Sequence, residues 1–248
     1  MDIIFIGNTN LSLSILKYIN KKKIFNIKGV ITKKKINVTN DEVDLTKSCK
    51  INYIPFKQTS NINSINIGIW LSKIKYDYIF CFGFSQLIKG KLLKQNKNKI
   101  IGFHPTDLPS NKGRHPIIWT VILGIKKTAI SFFFINKNPD SGGVILKKKF
   151  SIPKNYNSTK IYEKITKLVL YNLKFLKKKL DKKSKIIKSK NSINFWRKRK
   201  FIDGIIDWRM SADNIYRHYL ALSKPYPCAT FKYNGKFFKI KKCEIINT

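Results

Sequence analysis

The chain has 248 residues, 43% hydrophobic and 13% aromatic, with 51 Lys+Arg against 13 Asp+Glu and a formal net charge of +38. That length suits one large domain, or a medium domain with a small appendage. The apolar and aromatic content can build a core, which excludes the disordered class despite the charge.

In chain order, IIFIG (3–7) predicts a buried strand and Leu11 to Ile19 a helix. NIKGVIT (26–32) and INYIPF (51–56) predict the next strands. A helix is expected around Ile62 to Ile74, a strand in YDYIFCFGF (76–84), a short helix around Gln86 to Leu93, and a strand in KIIGFHP (99–105). Continuous apolar strands separated by helical segments indicate a mostly parallel sheet covered on both faces, a Rossmann-like α/β fold. The turn after the first strand reads Gly7-Asn8-Thr9-Asn10, not G-x-G-x-x-G, so nicotinamide or flavin chemistry gains no support. That helix start could take an anion, or be an ordinary capped turn.

Beyond Trp119, Thr128 to Asn136 and Val144 to Ile152 predict strands joined by Asn138-Pro139-Asp140-Ser141-Gly142-Gly143. A long amphipathic helix, Ser158 to Leu180, follows. DKKSKIIKSKNS (181–192) reads as a basic linker. Then come a helix over Ala212 to Leu222 and a hairpin in 229–246 with Asn234-Gly235 as its turn. The expected division is a catalytic domain over 1–180, a linker over 181–193 and a small α+β helix-hairpin module over 194–248.

The charge invites a nucleic-acid or anionic-membrane reading. Yet only five of the 51 cations are arginines (Arg114, Arg197, Arg199, Arg209, Arg217), and Lys, Ile and Asn, all abundant, share AT-rich codons. Arginine's planar fork grips phosphate by geometry, whereas lysine is a solvated point charge. Most of the charge is therefore read as lysine-dressed surface, while the shortage of acids keeps anionic ligands in play. Cys49, Cys81, Cys228 and Cys243 are isolated, so neither a disulfide framework nor a metal site is expected, and free thiols suit the cytoplasm. No signal-peptide core or membrane span is read.

Two of the three histidines lie in GFHPTDLPSNKGRHP (102–116). His104 closes an apolar strand, and ligands of open parallel sheets bind at such strand ends. Next to it, Gly113-Arg114 sits between Pro109 and Pro116, a rigid loop presenting a cation. Taken alone, His104 is either a general acid or base or a satisfied structural residue.

The stretch His104-Pro105-Thr106-Asp107-Leu108-Pro109, then Gly113-Arg114-x-Pro116-Ile117-x-Trp119, then Asp140-Ser141-Gly142, resembles the folate-dependent formyltransferase family. The likeness covers at least residues 1–152 and continues through Asp203 to Trp208 and Lys224-Pro225-Tyr226-Pro227. It implies direct transfer of a formyl group from 10-formyltetrahydrofolate to an amine, without a metal. It further implies catalytic roles for His104 and Asp140, the carboxylate favouring the protonated imidazole. Cofactor contacts are implied at Gln86, Leu87, Ile88, Arg114, Asn136 and Asn138. The family places an Asn two residues before the His, where its amide stabilises the oxyanion; here that position is Gly102. A backbone N–H, Thr106, Ser110 or Asn111 could substitute; a slow or non-catalytic enzyme are the alternatives.

The short loop Lys33 to Asn40 and the small C-terminal module favour an amino-sugar nucleotide as acceptor, as in surface polysaccharide assembly. The alternative acceptor is methionyl-tRNA. The basic run Lys177 to Lys190 could touch tRNA phosphates but reads rather as a lysine-dressed helix end and linker, and a second alternative is a non-catalytic RNA-binding relative. No membrane partner is expected, and a homodimer is left open.

Overall fold

A computed structural model of the chain describes residues 1–33, 41–184, 186–187 and 194–246. The loop Lys33 to Asn40 beyond Lys33, and most of the linker after Ser184, lie outside the described residues. The first strand, β1 (Asp2–Ile6), is buried from Ile3 onward and feeds α1 (Asn10–Lys22). Thr9 caps that helix: its hydroxyl accepts from Ser12 N, and Ser12 Oγ returns the bond to Thr9 N. Leu11, Ile15, Leu16 and Ile19 form its buried stripe, at the spacing expected of an amphipathic helix. β2 (Asn26–Thr32), α2 (Thr46–Ile51), β3 (Phe56–Gln58), α3 (Ile65–Ser72), β4 (Tyr78–Cys81), α4 (Gly90–Gln95) and β5 (Ile100–His104) complete the first half.

Three sequence expectations change here. The run INYIPF is not a strand: Ile51 ends α2, Tyr53 is 95% exposed in the left-handed region, and pairing begins only at Phe56. Of its apolar side chains up to Pro55, only Ile54 is buried, so no strand-like alternation survives. The expected helix at Gln86 starts instead at Gly90, after a loop held by Asn63. Finally, Pro116 opens an unexpected helix, α5 (Pro116–Ile122).

β6 (Lys112–Gly113) precedes α5, and β7 (Lys127–Phe134) and β8 (Val144–Ser151) follow it. Among the described residues, seven strands share one sheet in the order β3-β2-β1-β4-β5-β7-β8. The first five run parallel; β7 turns antiparallel against β5 and β8 against β7, His104 facing Ser131 and Ser131 facing Lys147. This is the mostly parallel Rossmann-like sheet the hydrophobic runs predict. α6 (Ser158–Asp181) lays Ile161, Ile165, Val169, Leu173, Leu176 and Leu180 on one core face, each fully buried aliphatic contributing about 1.5–3 kcal/mol. Trp70, on α3, and Ile88, ahead of α4, pack the other face of the sheet.

The C-terminal part comprises β9 (Phe195–Trp196), a 3-10 turn (Phe201–Gly204), α7 (Ala212–Ala221) and the hairpin β10 (Thr230–Tyr233) and β11 (Lys236–Lys239). Asn234 and Gly235 both have positive φ, as a two-residue hairpin turn demands. Ile206, Leu220, Ala221, Leu222 and Ala229 join the same core as α1 and α6. Ser158 Oγ donates to Ala221 O at 2.6 Å and Thr159 Oγ1 to Lys224 O at 2.6 Å, fastening α7 to the start of α6.

Candidate active site

The carboxyl ends of β1, β4 and β5 converge on Gly7–Thr9, Phe82–Ser85 and His104, the edge where open parallel sheets bind ligands. His104 ends β5 with its side chain 8% exposed. Its Nε2 lies 3.2 Å from Asn111 O, and its Nδ1 lies 3.8 Å from Asp140 Oδ2. A carbonyl only accepts, so Nε2 carries a ring proton, and Nδ1 is the nitrogen turned toward Asp140. Burial lowers the His104 pKa below its ordinary value, against opposing pulls from Asp140 and the Asn111 carbonyl. This reverses the direction expected from the sequence: the carboxylate acts as foreseen, but desolvation of a ring so deeply enclosed is the larger effect.

Asp140 reaches this position through an unusual turn. Its φ is 52°, and two residues later a Cβ on Gly142 would stand 1.6 Å from Phe134 O, so only glycine closes the turn. Asp140 Oδ2 accepts from Gly113 N at 3.0 Å. Lys112, buried at 7% exposure, donates from Nζ to Ser141 Oγ at 3.1 Å, a second brace between the two loops. Sequence reasoning passed over Lys112 because a lysine in so lysine-rich a chain carries no signal.

Gly102, the position of the missing Asn, has no room for a side chain: a Cβ would lie 2.8 Å from Phe133 Cζ and 3.0 Å from Ile135 Cγ1. Of the proposed substitutes, the Thr106 hydroxyl donates to Asn111 O at 2.9 Å, and the Asn111 amide is engaged by Asn194. Ser110 is exposed at the loop tip.

The residues expected at a cofactor are more dispersed. Gln86 spends its side chain on Ile62 N and Ser60 O. Leu87 is 49% exposed, and Ile88 is buried in the core. Asn136 Oδ1 accepts from Asn138 N at 3.0 Å, shaping the loop toward Asp140. Arg114 donates its backbone N–H to Trp196 O at 2.9 Å and leaves its side chain in solvent. His115 starts α5 in the left-handed region and accepts from Arg199 N at Nδ1; burial first, then Arg114, Arg199 and Lys198, hold its pKa down. Among the described residues no group of His, Cys, Asp and Glu could hold a metal ion, and no helix is long and apolar enough to cross a membrane.

The sequence matches the family model described as formyl transferase over residues 1–170 and that of the formyl transferase C-terminal domain over residues 200–248. It is 33% identical over 181 residues to the bifunctional polymyxin resistance protein ArnA of Wigglesworthia glossinidia brevipalpis, covering 71% of this chain and 27% of that protein. It is 26% identical to the methionyl-tRNA formyltransferase of Mycoplasma capricolum, covering 100% of this chain and 79% of that protein. Further curated relatives carry the same methionyl-tRNA formyltransferase name, and the chain spans 51% to 64% of several of them. The solved structure of WlaRD, a sugar 3N-formyl transferase crystallised with dTDP and 5-N-formyl-THF, superposes with a TM-score of 0.71 at 20% identity over 95% of this chain and 83% of that one. With a family model spanning most of its length and both of the family's domains in order, the chain belongs to the formyl transferase family.

Proposed function

We propose that the protein transfers a formyl group from 10-formyltetrahydrofolate to the amine of an aminoacyl-tRNA, with His104 carrying the proton and Asp140 steadying its charge. The attacking amine forms a bond to the formyl carbon and the bond from that carbon to the folate nitrogen breaks. His104 Nδ1 takes the proton from the amine and returns it to the departing nitrogen. A neutral ring with its lone pair at Nδ1 is the form this sequence of steps needs at the start. The imidazolium that forms is bracketed by the Asn111 carbonyl at Nε2 and the Asp140 carboxylate at Nδ1.

The observation that carries the tRNA reading is the surface of the terminal hairpin. Tyr233, Phe237 and Phe238 are 44–63% exposed, and Lys232, Lys236 and Lys239 are interleaved with them. Trp208 stacks edge-on against Phe231, and Phe201 against Phe237. Rings set among cations are what a nucleic-acid strand uses, since phosphates meet the lysines and bases the rings. Net charge alone was ambiguous; its placement beside exposed aromatics is the added support. The name shared by several curated relatives supports the same choice.

The amino-sugar nucleotide expected from the sequence is kept as a second reading, favoured by the small size of the hairpin module and by the likeness to WlaRD. The test offers the protein 10-formyltetrahydrofolate with charged initiator tRNA or with a panel of amino-sugar nucleotides. Formylated methionyl-tRNA is the expected product; formylation of a sugar amine alone would reverse the order of the two readings.

A further inference from the structure

We infer that Asn194, a residue of the segment leading into β9, is a positioning residue for His104. The inference rests on the reading of His104 as the proton carrier. Asn111 is the link. Its carbonyl faces His104 Nε2 at 3.2 Å and also accepts from Thr106 Oγ1 at 2.9 Å. To present that carbonyl, Asn111 adopts the left-handed conformation with φ 58°, a region asparagine occupies more readily than most residues.

Asn194 supports Asn111 from 83 residues away in sequence. Asn111 N donates to Asn194 Oδ1 at 2.7 Å, and Asn194 Nδ2 donates to Asn111 Oδ1 at 2.6 Å. A side-chain amide is suited to this clamp because it accepts from an N–H and donates to an amide oxygen at once. Immediately beyond, Lys112 and Gly113 pair in parallel with Phe195 and Trp196. A Cβ on Gly113 would stand 2.2 Å from Trp196 O, so the two segments approach as closely as backbones can. Trp119 Nε1 donates to Arg197 O at 3.0 Å, and the Arg197 and Arg199 guanidiniums lie over the Trp119 ring. The 194–199 segment is thus a strap along the catalytic loop, and Asn194 is its contact with the residue that holds the histidine.

The consequence is chemical. The Asn111 carbonyl keeps the proton on Nε2 and leaves Nδ1 free to face Asp140. Without the two hydrogen bonds of the clamp the loop at Asn111 is free to shift, its carbonyl leaves the ring, and the proton distributes between the two nitrogens.

The experiment uses the full-length protein with 15N-labelled histidine, His104 being assigned by its loss in His104→Gln. Long-range proton–nitrogen spectra at neutral pH report the tautomer without any substrate, alongside kcat and KM for formyl transfer. The wild type is expected wholly in the Nε2–H form. Asn194→Ala is expected to show both tautomers and a kcat about tenfold lower, with KM for the formyl donor within about twofold, a part of the hundredfold or more that general acid–base catalysis contributes. Asn194→Asp keeps the acceptor for Asn111 N–H but loses the donor, and is read in its place if the alanine variant does not fold. An Nδ1–H wild type, an unchanged tautomer in the variants, or an altered tautomer with unchanged kcat would each overturn the inference; a lowered melting temperature with an unchanged tautomer marks a structural role only. A tautomer that responds to Asn194 in a protein inactive on every acceptor upholds the clamp and counts against the formyl-transfer reading instead.

Discussion

Gly102 and Phe133 share one volume: the ring tip of Phe133 lies 2.8 Å from where a Cβ on Gly102 would stand. The two residues face each other across the β5–β7 pair, and Phe133 is anchored with Leu108 and Val144 in a small core of its own. The loss of the oxyanion asparagine and the ring packed over its position therefore form one feature. Gly102→Asn is expected to destabilise the fold by about 1–3 kcal/mol, the usual cost of overpacking. Pairing it with Phe133→Leu should cost less than the sum of the two single changes, read by denaturant melts as a double-mutant cycle. Strict additivity would show that the ring yields without effort.

Asp140 opposes the burial that depresses the His104 pKa. Asp140→Asn removes that opposition, so the acid limb of kcat/KM should move to lower pH. The maximal rate should fall about ten- to a hundredfold, because the imidazolium loses its counter-charge. A limb displaced upward would mean that Asp140 does not act on His104 electrostatically.

Burial is the first cause that lowers the pKa of all three histidines, His104, His115 and His218. The unfolded chain binds protons at its histidines below about pH 6.5, while the folded rings resist them. Stability from this source is therefore complete above that value and is lost as pH falls through the folded pKa values. Melting temperatures should fall between pH 7 and 5.5, and His104→Gln should flatten part of that slope. A flat profile over this window would contradict the burial of these rings.

The sheet was legible because its strands are continuous apolar runs, and the terminal hairpin because Asn234-Gly235 suits a turn with two positive φ values. α5 carried a readable signal in Pro116 at its first position, overshadowed by the motif around it. INYIPF misled because hydrophobic content without alternation does not define a strand, and Ile51 and Tyr53 stand in solvent. At the site, His104 and Asp140 were legible through their motif and do come together, at 3.8 Å. Their supports were not. The Asn111–Asn194 clamp, the Gly113–Trp196 contact and the buried Lys112 join segments far apart in sequence through residue types that are common throughout this chain.

The proposed folate-dependent transfer depends on His104 to move the proton. Its most direct test compares wild type and His104→Gln in single-turnover transfer from 10-formyltetrahydrofolate to charged initiator tRNA. Formylated methionyl-tRNA is expected from the wild type, and a rate at least about a hundredfold lower from a folded variant. Equal rates from the two proteins would contradict that dependence.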